Sequence, residues 1–372
     1  GTIISGTSTA IQVISGNPNG GVGMGGTNAI GSHIRGNFIG TDATGMAALS
    51  NYYGIVLEHA VGVTVGGNIT QGFANVISGN DYYGVRVFGT NSRNNVIMGN
   101  YIGVGTNGVT PVPNRYTGVV VSEGAWSNRV GGTDYGTVNV IAGNGGSGVE
   151  ISDSNTHHNT VSYNLIGMNR AFAAVANGGM GIHVFHSSSN TLGVANFVGN
   201  SPGGNAGIKI LGAGAHGNLL VGNVVGMDNM SNPHPNYGGI DIQDARGTVV
   251  GFLAFGGINF VSGNRADGIS VRGSASNTLI QGNAIGTDLS GTLSVSNHGT
   301  GVYVEGVRTT IGVPGGGNLI SGNGGGGIYI GASASNAVIQ ANFIGVDESG
   351  GAVVSNATGI SVHGPGALIG GP

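Results

Sequence analysis

Gly148-Val149-Glu150-Ile151 and Gly181-Ile182-His183-Val184 decide how this chain is read. In each, two β-branched residues flank one variable position. Alternate side chains then face opposite ways, as in a short strand with one buried face. The pattern Gly-[Val/Ile]-x-apolar begins at Gly21 and recurs as far as Gly359, twelve times in all, at intervals of 26 to 34 residues. A second pattern, Asn-x-[Val/Leu], follows in each coil, as in Asn159-Thr160-Val161 and Asn277-Thr278-Leu279. A third alternates between versions of Gly-Asn-x-Ile-Gly, placed by Asn37, Asn100, Asn164, Asn223, Asn283 and Asn342, and versions of Asn-x-Ile-Ser-Gly-Asn, as at 75–80 and 318–323. Successive copies of the first version lie 63, 64, 59, 60 and 59 residues apart, so the repeat is a pair of coils.

Three short strands per coil, joined by turns and without a helical period, predict an all-β, three-sided parallel β-helix of about twelve coils. Helical repeat arrays and propellers have other periods. The general preference of parallel connections makes it right-handed. The expected organisation is one domain over 1–372, made of six two-coil repeats. Val149, Ile182, Ile208 and Ile240 belong to an inward column, and the recurrent asparagines are expected to form amide ladders from coil to coil.

Composition agrees. Glycine contributes 80 of 372 residues, yet there is no collagen period, and 39% apolar residues suffice for a core. Charged residues make up 7%, against about 25% in ordinary domains, and Lys209 is the sole lysine. A net charge of −4 leaves no basic footprint for nucleic acid. Without cysteine there are no disulfides or thiolate metal sites, and no apolar run is long enough to make a transmembrane helix. A solenoid poor in charge and rich in Gly, Asn, Ser and Thr is expected to be secreted or on a cell surface.

Gly-Asn-Phe-Ile-Gly-Thr-Asp-Ala-Thr-Gly (36–45) and Asn-Val-Ile-Ser-Gly-Asn (75–80) resemble the parallel β-helix repeats of large secreted or surface-exposed bacterial proteins, within the wider pectin-lyase-like group. The resemblance spans the chain and rests on structural motifs. It implies the fold but leaves function open among polysaccharide lyases, hydrolases, epimerases, tailspikes, adhesins and inert solenoids.

Reading the variable position of the first motif as a column places Glu150, His183, Lys209 and Asp241 in four consecutive coils, with Asp244 and Arg272 close by in sequence. As chemistry, a lysine flanked by a histidine and a carboxylate suits proton abstraction beside a uronate carboxyl, with Arg272 neutralising it. Asp241 and Asp244 suit a hydrolase pair. As structure, opposite charges on adjacent coils attract, and the strings expected of pectate lyases, polygalacturonases and alginate epimerases are missing. Tyr52, Tyr53, Tyr82, Tyr83 and Tyr116 fall in the turn before the first motif in three successive coils, where they either bind sugar or a partner or cover the turns.

No metal site is expected: adjacent His157 and His158, read as strand residues, point to opposite faces. Long loops in alternate coils carry Asp42, Asp228, Asp288 and Asp347, with Asn169 as a variant and Gly105 breaking the pattern. Capping of the loop's own amides is the favoured role, and Ca²⁺ the alternative; no other cofactor is expected. The chain begins and ends at the same phase of the repeat without a distinct capping coil. This suggests either part of a longer array or head-to-tail self-association. The leading functional expectation is an extracellular structural element (stalk, adhesin or filament segment) without catalysis. The alternative is a polysaccharide-active enzyme or carbohydrate-binding module using the charged face.

Overall fold

The computed structural model describes residues 1–6, 11–252 and 257–371. The chain is described as two compact units, residues 1–190 and 191–372, each by itself. Both are β-solenoids built from three parallel sheets; among the described residues each sheet takes six strands from the first unit, and the second unit supplies seven to the first sheet and six to each of the others. The first sheet takes the strand after the second motif (Val96–Met98), the second sheet the third motif (Asn139–Ile141), and the third sheet the Gly-[Val/Ile] strand (Val149–Ser152).

In the first unit, Val119, Val149 and Ile182 pair in register and are fully buried. The positions between them, Val120, Glu150 and His183, form the outward column. In the second unit, Ile208, Ile240, Ile269 and Val302 form the inward column, with Lys209, Asp241, Ser270 and Tyr303 outward. Each fully buried Val or Ile contributes about 1.5–3 kcal/mol of hydrophobic stabilisation.

The turns are held by asparagine. At the start of the second sheet in the first unit, Asn37, Asn75, Asn100, Asn139 and Asn164 form a ladder. Each Nδ2 donates to the next Oδ1, at 3.0, 2.9, 3.1 and 2.9 Å. Where the chain leaves that sheet, Asn51, Asn80, Asn114, Asn144 and Asn177 form another, at 3.1, 2.8, 2.9 and 3.0 Å. The second unit repeats both, from Asn196 to Asn342 and from Asn236 to Asn356. A third ladder, Asn95–Asn128–Asn159–Asn190, leads into the first sheet. The corresponding positions of three coils in the second unit are Thr248, Thr278 and Thr309. Their buried hydroxyls find no partner among the described residues. A threonine hydroxyl is too short to span the ~4.8 Å between coils, whereas an amide reaches both neighbours.

Asn139 therefore carries several contacts at once. Its Oδ1 accepts from both nitrogens of Asn100, while its Nδ2 donates to Asn164 and to the Ile97 carbonyl. Asn139→Ala is expected to lower unfolding stability by about 3 kcal/mol, because it strands buried donors and acceptors. Thr278→Val removes a hydroxyl that bonds nothing and should be neutral or stabilise by about 1 kcal/mol. Urea titrations of the two variants measure both, and equal losses would contradict the ladder's role.

Candidate functional site

Polar and aromatic side chains concentrate on the outer face and flanking turns of the third sheet, in both units. In the first unit the tyrosines predicted from sequence come together. Tyr52 and Tyr82 stack at 5.4 Å and 17°, Tyr82 lies 4.6 Å from Tyr116, and Tyr53 and Tyr83 pack edge-on against Tyr82 at 5.3 and 4.3 Å. The outermost rings, Tyr52 and Tyr116, are 42% and 43% exposed. Tyr83 is more enclosed, and burial above all pushes its phenol up, well beyond the ordinary range. Arg115 and Arg86 approach Tyr116 and Tyr53 at 5.8 and 6.0 Å. Later coils of the same unit make this turn with Gly145-Gly146 and Gly178-Gly179. The turn therefore does not need an aromatic residue, and the tyrosines are additional to the fold.

The outward strand face beside them carries Arg86, bound to Glu123 at 2.5 Å and lying over Phe88 at 4.1 Å. Glu150 and His183 stand in register with their side chains 3.8 Å apart, and the His183 ring leans on Phe185.

In the second unit, the predicted Lys209, Asp241 and Arg272 converge. Lys209 Nζ is 3.0 Å from Asp241 and donates to Gln243 at 3.0 Å. Asp241 also accepts from Ser270 Oγ at 2.9 Å and lies 4.0 Å from Arg272. Arg272 binds Asp267 at 2.8 Å and lies over Tyr303 at 4.9 Å, and Tyr303 stacks on Tyr329 at 5.1 Å and 6°. The hydrogen bond from Tyr303 to Glu305, helped by burial, pushes its phenol up to about 12. Asp244 lies in the following turn at φ 57°, where it accepts from the Ser274 amide and hydroxyl and neighbours Gln243 and Lys209. Those bonds hold its carboxyl below the usual range.

Lys209, Asp241 and Arg272 are thus already engaged with one another. Ser270, the next outward position of the same column, completes this network together with Gln243 and Asp267, which sequence reasoning missed. Gln243 could have been found as the second outward position of the Asp241 strand. Asp267, five residues before Arg272, carried no such signal.

One expectation is corrected. His157 and His158 do not point apart: their Nδ1 atoms are 2.6 Å from each other. Both precede the strand Thr160–Val161, and His158 is left-handed at φ 56°, which turns its ring back. His157 stacks on Trp126 at 6.1 Å, and Arg93 covers Trp126 from the coil before. Among the described residues, no cluster of three or more His, Asp or Glu is arranged to hold a metal ion.

The long-loop acids are capped by their own loops. Asp42 Oδ1 accepts from the amides of Thr44, Met46 and Ala47 and from the Thr44 hydroxyl. Asp228, Asp288 and Asp347 repeat this arrangement, and Asn169 substitutes for them. In the loop that Gly105 interrupts, Asn107 accepts from Val109 and Thr110 instead.

No protein-family model and no curated protein sequence matches this chain. Among solved structures it is similar to the A-module of the mannuronan C-5 epimerase AlgE4 from Azotobacter vinelandii, at 14% identity and TM-score 0.49 over 93% of this chain and 87% of that one. It is also similar to a double mutant of the periplasmic alginate epimerase AlgG, at 14% identity and TM-score 0.49 over 99% and 75%. A third similar structure is the Dettilon tailspike protein, at 16% identity and TM-score 0.41 over 91% and 61%. At these identities the likeness is at most one of architecture, and it is the three stacked parallel sheets that make the chain a parallel β-helix.

The hydrogen bonds around Asp42 and Asp347, led by the Thr44 hydroxyl and the Ala352 amide, lower both carboxyl pKa values. A depressed folded pKa stabilises above the unfolded value and is lost as pH falls through the folded one. The amides of Met46 and Ala352 should therefore stay protected at pH 5 and lose protection below the ordinary carboxylate range. Hydrogen exchange across that range measures this, and protection that does not change with pH would refute the capping role.

Proposed function

We propose that this chain is a polysaccharide-binding β-helix, extracellular or surface-exposed, that contacts glycan through the patch of Tyr52, Tyr53, Tyr82, Tyr83 and Tyr116. The observation that carries the reading is an exposed aromatic cluster at a turn that neighbouring coils build from glycine. Tyrosine presents an apolar ring face to the C–H faces of a sugar and keeps its hydroxyl for the polar rim. Arg86 and Arg115 at the margin add donors suited to hydroxyl and carboxylate groups. The ladders make the coil stack a stiff support, so three coils hold the rings at fixed spacing.

The charged face of the second unit is assigned no reaction. Lys209, Asp241 and Arg272 bind one another and the side chains beside them, which favours a cross-strand charge ladder. A scaffold role is compatible with glycan binding and draws on the same ladders.

Affinity electrophoresis against neutral and uronate polysaccharides tests the proposal. Tyr52→Ala and Tyr116→Ala alter exposed rings and should each weaken binding about 3- to 10-fold, at ~1 kcal/mol per ring, with unfolding midpoints little changed. Full binding by the double variant would overturn it. The same polysaccharides, followed for 4,5-unsaturated products and new reducing ends, test the charged face. Turnover that disappears in Lys209→Ala or Asp241→Ala would make that face catalytic and displace the non-catalytic reading.

A further inference from the structure

The second unit carries a groove of about 520 Å³ that neither the tyrosine patch nor the charged face includes. It lies on the outer side of the second sheet. Outward positions there run in register through Phe197, Val224, Phe260, Ala284, Leu319 and Phe343. The first unit's equivalent column reads Phe38, Val76, Tyr101, Val140 and Leu165. Ala284 is the only residue in either column smaller than valine, and its missing side chain opens the floor.

Long-loop glycines lean over these columns. A Cβ on Gly45 would come within 3.2 Å of the Phe38 ring, and one on Gly108 within 2.8 Å of Tyr101. Gly291 does the same to Leu319 at 2.9 Å and also touches the Glu348 side chain. Beside Ala284, however, the space between Phe260, Leu319 and the loop residue Leu289 stays open among the described residues. Ile258 and Phe343, about half exposed, extend the apolar lining.

The volume falls in the range of small-molecule sites, which are mostly apolar with a few placed polar groups. The charged side chain lining the groove is Glu348. Its carboxylate has no ion pair or hydrogen bond among the described residues. An apolar trough beside an exposed carboxylate without a protein partner favours a ligand with an apolar body and a positive head. Phenylalanine faces at the same site attract a cation further. An anionic amphiphile would meet repulsion from Glu348.

We propose that the groove over Ala284 binds a small amphipathic organic cation, with its aromatic or aliphatic body on Ala284 between Phe260 and Leu319 and its ammonium toward Glu348. Nothing in this assignment depends on glycan binding by the first unit.

A matched series with one body and three heads (4-phenylbutylammonium, 4-phenylbutanol and 5-phenylpentanoate), titrated into the full chain by calorimetry, tests it. The ammonium should bind saturably, about 3- to 10-fold more tightly than the alcohol, with the carboxylate weakest, and the preference should shrink as salt rises. Ala284→Leu fills the floor with a residue the column already carries at Leu165 and Leu319. It should weaken the ammonium at least about 10-fold at an unchanged unfolding midpoint. Glu348→Gln should bring the ammonium and alcohol to similar affinity. If Ala284→Leu shifts the midpoint, Phe343→Ala, at a half-exposed ring, replaces it and should also weaken binding. Absence of saturable binding, indifference to groove substitutions, or equal affinity for the ammonium and alcohol in the unaltered chain would each overturn the proposal.

Discussion

The hydrogen bond from one asparagine side chain to the same asparagine on the next coil is the interaction on which the rest of this structure depends. Parallel strands of two to five residues supply few backbone bonds, and every coil must turn three times around a dry core. Turns leave buried carbonyls and amides that water cannot reach, and each costs about 1–3 kcal/mol if unpaired. The amide of Asn139 serves Asn100, Asn164 and the Ile97 carbonyl together, so one side chain closes several such debts. Stacked amides also polarise one another in a low-dielectric interior.

With the turns held in this way, the outward positions are free to vary. The third sheet uses them differently in the two units. In the first, Arg86 bonds Glu123, Glu150 faces His183, and tyrosines gather at the preceding turn. In the second, Lys209, Asp241 and Arg272 join and run into the Tyr303–Tyr329 stack. Surface ion pairs of this kind contribute at most about 1 kcal/mol each. Their significance is that they engage the charges a proton-transfer mechanism would need. The tyrosine cluster has no comparable structural necessity, and this is why the functional reading rests on it.

The second sheet shows how small a change opens a site. Its outward column is otherwise filled from Val to Phe and roofed by loop glycines, so truncation at Ala284 leaves space the neighbours do not close. Close-packed surroundings of fixed register cannot collapse into such a gap as a looser core would.

The sequence by itself determined the coil count, the three-strand coil, the inward column through Val149 and Ile182, the asparagine ladders and the outward order of Lys209, Asp241 and Ser270. Each follows from a local period, because in a solenoid residues one repeat apart become neighbours in space. What depended on side-chain reach and backbone handedness appeared only in the tertiary structure. Arg86 selects Glu123 across 37 residues, and a left-handed His158 turns toward His157 although strand alternation would part them. Strand register puts Thr278, not the motif's Asn277, in the ladder position, where its hydroxyl cannot bridge coils. The groove belongs to this class too. One alanine among many carries no signal until loops from two coils and strands from four are placed around it.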